Sequence, residues 1–263
     1  MDPIKSSAAA AFTLFTAAGA CGTSNFLSIP SVYIQTPIEG KFGSDFQFHL
    51  LDASSGKNDY LWRNRFIKYL KTSKLDLSAR FQEIVTAFNF HKVSFEDLKK
   101  SCEEAYTQKV TRTDIHPATK EDDKSLYEKN IWTFCSIHEY KPLTIEEQRD
   151  VSDNQYEGKL GGTKKSLLVS VREEVNQKFW EIQAQAFYKR KDKDGKIIDG
   201  LGKKAEHASK FKELYKKQEI GGQTVEAFKQ VCENSYGEES NGNKDKEVLL
   251  FCSLQGTQEQ KSK

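Results

Sequence analysis

The chain has 263 residues, enough for one large domain or two smaller ones with cores of their own, which excludes a small disulfide scaffold. Its 40 basic and 38 acidic residues leave a formal charge of only +2, which provides no field for charge-driven binding of nucleic acid. With 30% charged, 37% hydrophobic and 11% aromatic residues, the composition predicts a small, aromatic-rich core beneath a heavily charged surface.

Charge is unevenly spread. Residues 1–56 hold six charged side chains (Asp2, Lys5, Glu39, Lys41, Asp45 and Asp52), and none falls between Ser6 and Ile38. Within that stretch Ala8 to Ala20 is an apolar run following Lys5, the arrangement of an export signal. It ends in Ala18-Gly19-Ala20-Cys21, and small residues before a cysteine suit signal peptidase access and thioether lipidation of Cys21, although Ala18 stands where leucine is usual. The run is short and Ala-rich for the roughly 20 apolar residues of a membrane span. Residues 1–21 are therefore read as a signal or membrane anchor in cleaved, lipidated or spanning form, against the alternative of a buried Ala-rich helix or a tail. Residues 22–56, with Pro30 and Pro37 and no sustained periodicity, read as a spacer.

The rest predicts two homologous helical units, 57–141 and 166–256, joined by a linker, 142–165, and followed by a flexible tail, 257–263. Trp62, Phe66, Tyr69 and Leu70 form one helical stripe, and Leu77, Phe81, Ile84, Val85 and Phe88 form the next. A third helix opens on Ser94-Phe95-Glu96-Asp97, a capping-box pattern, and runs Leu98, Cys102, Ala105, Tyr106 along one face. A fourth gathers Tyr127, Ile131, Phe134 and Cys135. Residues 81–106 match 211–236 without gaps at an offset of 130, with Phe81/Phe211, Cys102/Cys232 and Tyr106/Tyr236 among the identities. Trp132-Thr133-Phe134-Cys135-Ser136 likewise parallels Leu249-Leu250-Phe251-Cys252-Ser253, and Leu61-Trp62 parallels Phe179-Trp180. The overall expectation is an all-α chain: an N-terminal apolar anchor followed by two small helical units in tandem.

Four of the cysteines fall as one pair in each unit. Because a duplication carries a bonded pair within each copy, Cys102 is expected to bridge Cys135 and Cys232 to bridge Cys252, although four cysteines permit three connectivities and buried thiols are the alternative in a reducing compartment. Closing 33 residues would contribute about 3.5 kcal/mol in the chain-entropy model.

No reaction signature emerges. H-E-x-x-H, C-x-x-C, G-x-S-x-G and the phosphate-loop pattern are absent, and Gly158 to Ser166 reads as a solvated linker. Asp192-Lys193-Asp194-Gly195 lacks the first and last carboxylates of a calcium loop. The histidines, His49, His91, His116, His138 and His207, show no ligand spacing and read as surface or helix-end residues, with His91 or His138 able to activate a nearby cysteine. Tyr188-Lys189-Arg190-Lys191 reads as a solvated helix end. No catalytic residue, metal site or cofactor is therefore predicted.

The opening Met1-Asp2-Pro3 and apolar run, Leu98-Lys99 with Cys102, Trp132 with Phe134-Cys135, and in the second copy Phe228-Lys229, Cys232 and Phe251-Cys252 together form a pattern. It resembles the paralogous uncharacterised protein families of haemotropic mycoplasmas, wall-less bacteria that live on red blood cells. The resemblance extends over nearly the whole chain as an organisation carried by short motifs. It implies a membrane-anchored, surface-exposed, non-enzymatic protein on the extracellular face of the cell membrane. Its implied roles are host contact or antigenic variation, and its partners are the membrane, through the N-terminal segment, and host cell-surface molecules. Cys21 directly after the apolar run departs from that pattern and indicates a lipoprotein. The alternative is a ligand-capture protein or enzyme with its site between the two units.

Overall fold

A computed structural model describes residues 41–54, 56–86, 93–107, 115, 123–149, 155–191, 197–206, 208–217 and 224–256, with the dipeptides Ala11–Phe12 and Val32–Tyr33, which pair antiparallel as β1 and β2. Cys21, His91, His116, His207 and the tail 257–263 lie outside the described residues, as does the anchor segment 1–21 apart from Ala11–Phe12.

The described chain is mostly helical, with ten α-helices, as the apolar stripes predict. Unit 1 contains α1 (Phe42–Asp45), α2 (Asp59–Lys71), α3 (Ala79–Thr86), α4 (Phe95–Tyr106) and α5 (Asp123–Asn130), which runs into a π-helical turn, Ile131–Cys135. Unit 2 contains α6 (Leu160–Thr163), α7 (Gln177–Phe187), α8 (Lys210–Lys217), α9 (Val225–Tyr236) and α10 (Gly242–Cys252). Each unit thus has a short extra helix before the four expected from periodicity.

Local chemistry explains where the central helices start. The Asp97 carboxylate accepts from the Ser94 backbone N–H at 2.8 Å and completes a capping box for α4, while the Thr224 hydroxyl accepts from the Ala227 N–H at 3.0 Å to cap α9. Both helices then bury one face completely: Leu98, Cys102 and Tyr106 on α4, and Phe228, Cys232 and Tyr236 on α9. Around α4 pack α1, α2, α3 and the π turn; around α9, in the same order, pack α6, α7, α8 and α10. One residue leaves its expected stripe. Leu70 of α2 is 58% exposed, because the inward face is completed by Arg65 beside Trp62 and Tyr69.

Each unit is closed by backbone pairing that joins its beginning to its end. Leu50 bridges Ser136 and Leu168 bridges Ser253, with Leu51 N–H donating to Cys135 C=O at 2.9 Å and Val169 N–H to Cys252 C=O at 3.0 Å. The tyrosine ending each central helix fastens the same junction: Tyr106 donates to the carbonyls of Leu51 and Cys135, and Tyr236 to those of Val169 and Cys252. The indoles of Trp62 and Trp180 donate to the carbonyls of Asp52 and Ser170, each at 3.0 Å.

These bonds correct the boundaries drawn from sequence. Residues 41–54, assigned to the spacer, and 159–165, assigned to the linker, open the two units; Phe42, Leu50 and Leu51 are fully buried, and Leu160 is buried as well. The glycine-rich stretch 158–166 is likewise not a solvated linker. It contains α6, and a Cβ on Gly162 would lie 2.3 Å from the Tyr156 carbonyl oxygen. Within the connection, Thr144 bridges Val169, and the Asn176 side chain bonds both backbone groups of Leu143 at 2.8 Å, tying the exit of unit 1 onto unit 2. The basic run begins at the end of α7, where Tyr188 is the C-cap, and continues into Arg190–Lys191 (β3), which pairs antiparallel with Ile197–Ile198 (β4).

Candidate functional site between the units

Both cysteine pairs sit where a central helix meets the last turn of its unit. Cys102 of α4 is bonded to Cys135 and Cys232 of α9 to Cys252, with Cα–Cα separations of 5.5 and 5.8 Å, ordinary for disulfides. All four are fully buried. With Cys135 in a bridge, His138 has no thiol there to activate.

The titratable chemistry that stands out lies in the seam between the units, and two histidines expected at the surface supply it. His49 and His138 are 0% and 2% exposed, because each flanks the bridge that closes unit 1: Ile137 N–H donates to His49 C=O at 2.9 Å. The rings meet edge to edge, His49 Nδ1 lying 2.8 Å from His138 Nε2, and His49 Nε2 reaches Gln183 Oε1 of α7 at 2.7 Å. Phe179 of unit 2 stacks on His49 at 4.8 Å between centroids, and Trp132 of the π turn stands edge-on to His49 at 5.8 Å.

The proton positions follow by elimination. The Phe251 carbonyl can only accept, so Gln183 donates to it through Nε2 at 3.0 Å and turns Oε1 toward His49. His49 therefore carries its proton on Nε2, its Nδ1 accepts, and His138 must donate from Nε2. His138 Nδ1 is left as a buried acceptor with no donor among the described residues, and the buried Trp132 indole N–H also has no acceptor among them. Burial holds the His49 ring down to about 4, against the support of Gln183, and pushes His138 well below its ordinary value with help from the charges of His49, Lys178 and Arg65. Both rings are neutral near pH 7.

Charge surrounds the pair without pairing to it. Arg65 donates through Nε and Nη2 to the Ser136 carbonyl and through Nη1 to Glu139 at 2.6 Å, and Lys178 donates to the Ile137 carbonyl at 2.5 Å. Burial and the Arg65 charge lower the Lys178 ammonium from its ordinary value, against the carboxylates of Glu139 and Glu181. The arrangement can store or pass a proton, but it aligns no nucleophile with a base. Among the described residues, no group of three His, Cys, Asp or Glu side chains could hold a metal ion, and no helix is long and apolar enough to cross a membrane.

Sequence reasoning missed this pair because its members are 89 residues apart and meet only through the closure of unit 1. A usable signal was there: His49 interrupts the apolar Phe46-Gln47-Phe48-His49-Leu50-Leu51, where the second unit has Leu167. No protein-family model, curated protein or solved structure matches the chain.

Proposed function

We propose that this is a non-enzymatic, membrane-anchored, surface-exposed protein of the cell membrane's extracellular face, whose paired helical units present loops for host contact or antigenic variation. The observation that carries the reading is the pair of buried disulfides, one closing each unit, because such bridges persist in oxidising environments outside the cytosol. An uncharged apolar run ending at Cys21 supplies the means of export and attachment. The helical scaffold fixes loops that differ between the copies: the connection after α4 runs from Thr107 to Asp122, that after α9 only from Gly237 to Asn241.

The test is the intact mass of the protein from its native cells, alkylated without reduction and again after it. The reading predicts a chain starting at Cys21 with added acyl mass and four cysteines that alkylate only after reduction. An unprocessed chain with all five cysteines alkylated at once would overturn it. A ligand-capture reading draws on the His49–His138 pair lying between the units, and a specific thermal shift in a small-molecule screen would support it over the first.

A further inference from the structure

We infer that the His49–His138–Gln183 chain is an acid-operated latch, which holds the two units together while both rings are neutral and lets them part when protons enter. The geometry leaves a proton two places to go. On His138 Nδ1 it becomes a buried N–H with no acceptor among the described residues. On His49 Nδ1 it turns the acceptor of His138 Nε2 into a second donor 2.8 Å away, so the two rings of unit 1 repel and a charge is left buried beneath Phe179 of unit 2, with Nε2 still donating to Gln183.

The groups around the pair do not rescue either form. From α2 come Arg65 and Lys68; from α7, Lys178 and Glu181; from the segment after the π turn, Glu139 and Tyr140; and α1 brings Asp45, which lies beside Gly256. Arg65 and Lys178 bring like charge to the rings. Glu139 is already bound to Arg65. Unit 2 shows that the fold does not need these histidines, since Leu167 and Gln255 occupy the matching places and both are buried. Separation would expose Trp132 and Phe179, which now face each other across the seam with centroids 6.2 Å apart.

The full chain with its disulfides intact is followed from pH 7 to pH 4 by small-angle scattering and far-UV circular dichroism. The latch predicts expansion below about pH 6 with the helical signal retained, the disulfide-closed units staying folded. The double variant His49→Leu with His138→Gln, which copies unit 2, is expected to stay compact throughout. Should it fail to fold, His138→Gln alone serves instead: with one of the two protonation sites gone, the expansion should move to lower pH by about half a unit. Identical profiles for wild type and each folded variant would overturn the latch, and so would loss of the helical signal together with the expansion.

Discussion

The two units agree where they bond to themselves and differ where they meet each other. Tyr106 and Tyr236, Trp62 and Trp180, and the Leu50–Ser136 and Leu168–Ser253 bridges perform the same tasks at matching distances. Ser136 and Ser253 even return the same bond, each hydroxyl donating at 2.5 Å to the carbonyl four residues earlier. At the seam the correspondence stops: His49, His138, Trp132 and Arg65 of unit 1 stand against Leu167, Gln255, Leu249 and Gln183 of unit 2. The last turn of unit 1 is also π-helical where α10 is regular, and π turns are frequent at functional positions. The two units share the bonds that close them and differ at the surfaces where they meet. A left-handed residue follows each closing segment, Glu139 with φ 68° and Gly256 with φ 67°. Glycine adopts that conformation freely, whereas Glu139 is held in it by Arg65 and by Lys68 bonding its carbonyl.

Breaking the shared closure should have the largest effect. Replacing Cys102 and Cys135 by alanine should cost about 3.5 kcal/mol and replacing Cys232 and Cys252 about 3, in line with separations of 33 and 20 residues, as read by urea unfolding. Nearly as large is the pH effect confined to unit 1. The folded chain holds His49 at about 4, below the ordinary value, so it binds fewer protons than the unfolded chain. That contribution is complete above pH 6.5 and is lost as pH falls through 4, by about 3 kcal/mol. The gap between urea midpoints at pH 7 and pH 4 should narrow in His49→Leu and narrow further when His138→Gln is added, because burial depresses both rings.

Smaller effects sharpen the comparison. Gly162→Ala drives a methyl group into the Tyr156 carbonyl and should cost about 2 kcal/mol in thermal unfolding, whereas Ser44→Ala at the matching place in unit 1 should be near neutral. Tyr106→Phe and Tyr236→Phe should each cost about 1 kcal/mol, and by similar amounts, since the two hydroxyls bond equivalent carbonyl pairs. Unequal losses would show that the closures are alike in geometry but not in energy.

The helices were legible because their stripes are periodic and because α3, α4, α8 and α9 repeat without gaps. The openings of the units were not. Lys41-Phe42-Gly43-Ser44 and Lys159-Leu160-Gly161-Gly162 share little beyond lysine and glycine, and their closing bonds are made by the backbone, which leaves no side-chain pattern. A change in connection length before α8 also puts them out of register with the match at 81–106. Leu70 leaves its expected place and Arg65 turns inward because a guanidinium there can bond the end of the π turn, a long-range partner that periodicity does not show. The histidine pair was hidden for the same reason: its chemistry belongs to the closed unit and its neighbour, not to a local motif.

The most direct test of the claim that one copy of a shared unit has been specialised at the seam is nuclear magnetic resonance of the full chain with nitrogen-15-labelled histidine. The account predicts two rings that remain neutral at pH 6, both protonated on Nε2, with the bare nitrogens on Nδ1. Ordinary titration of all five histidines near pH 6.5 would contradict it.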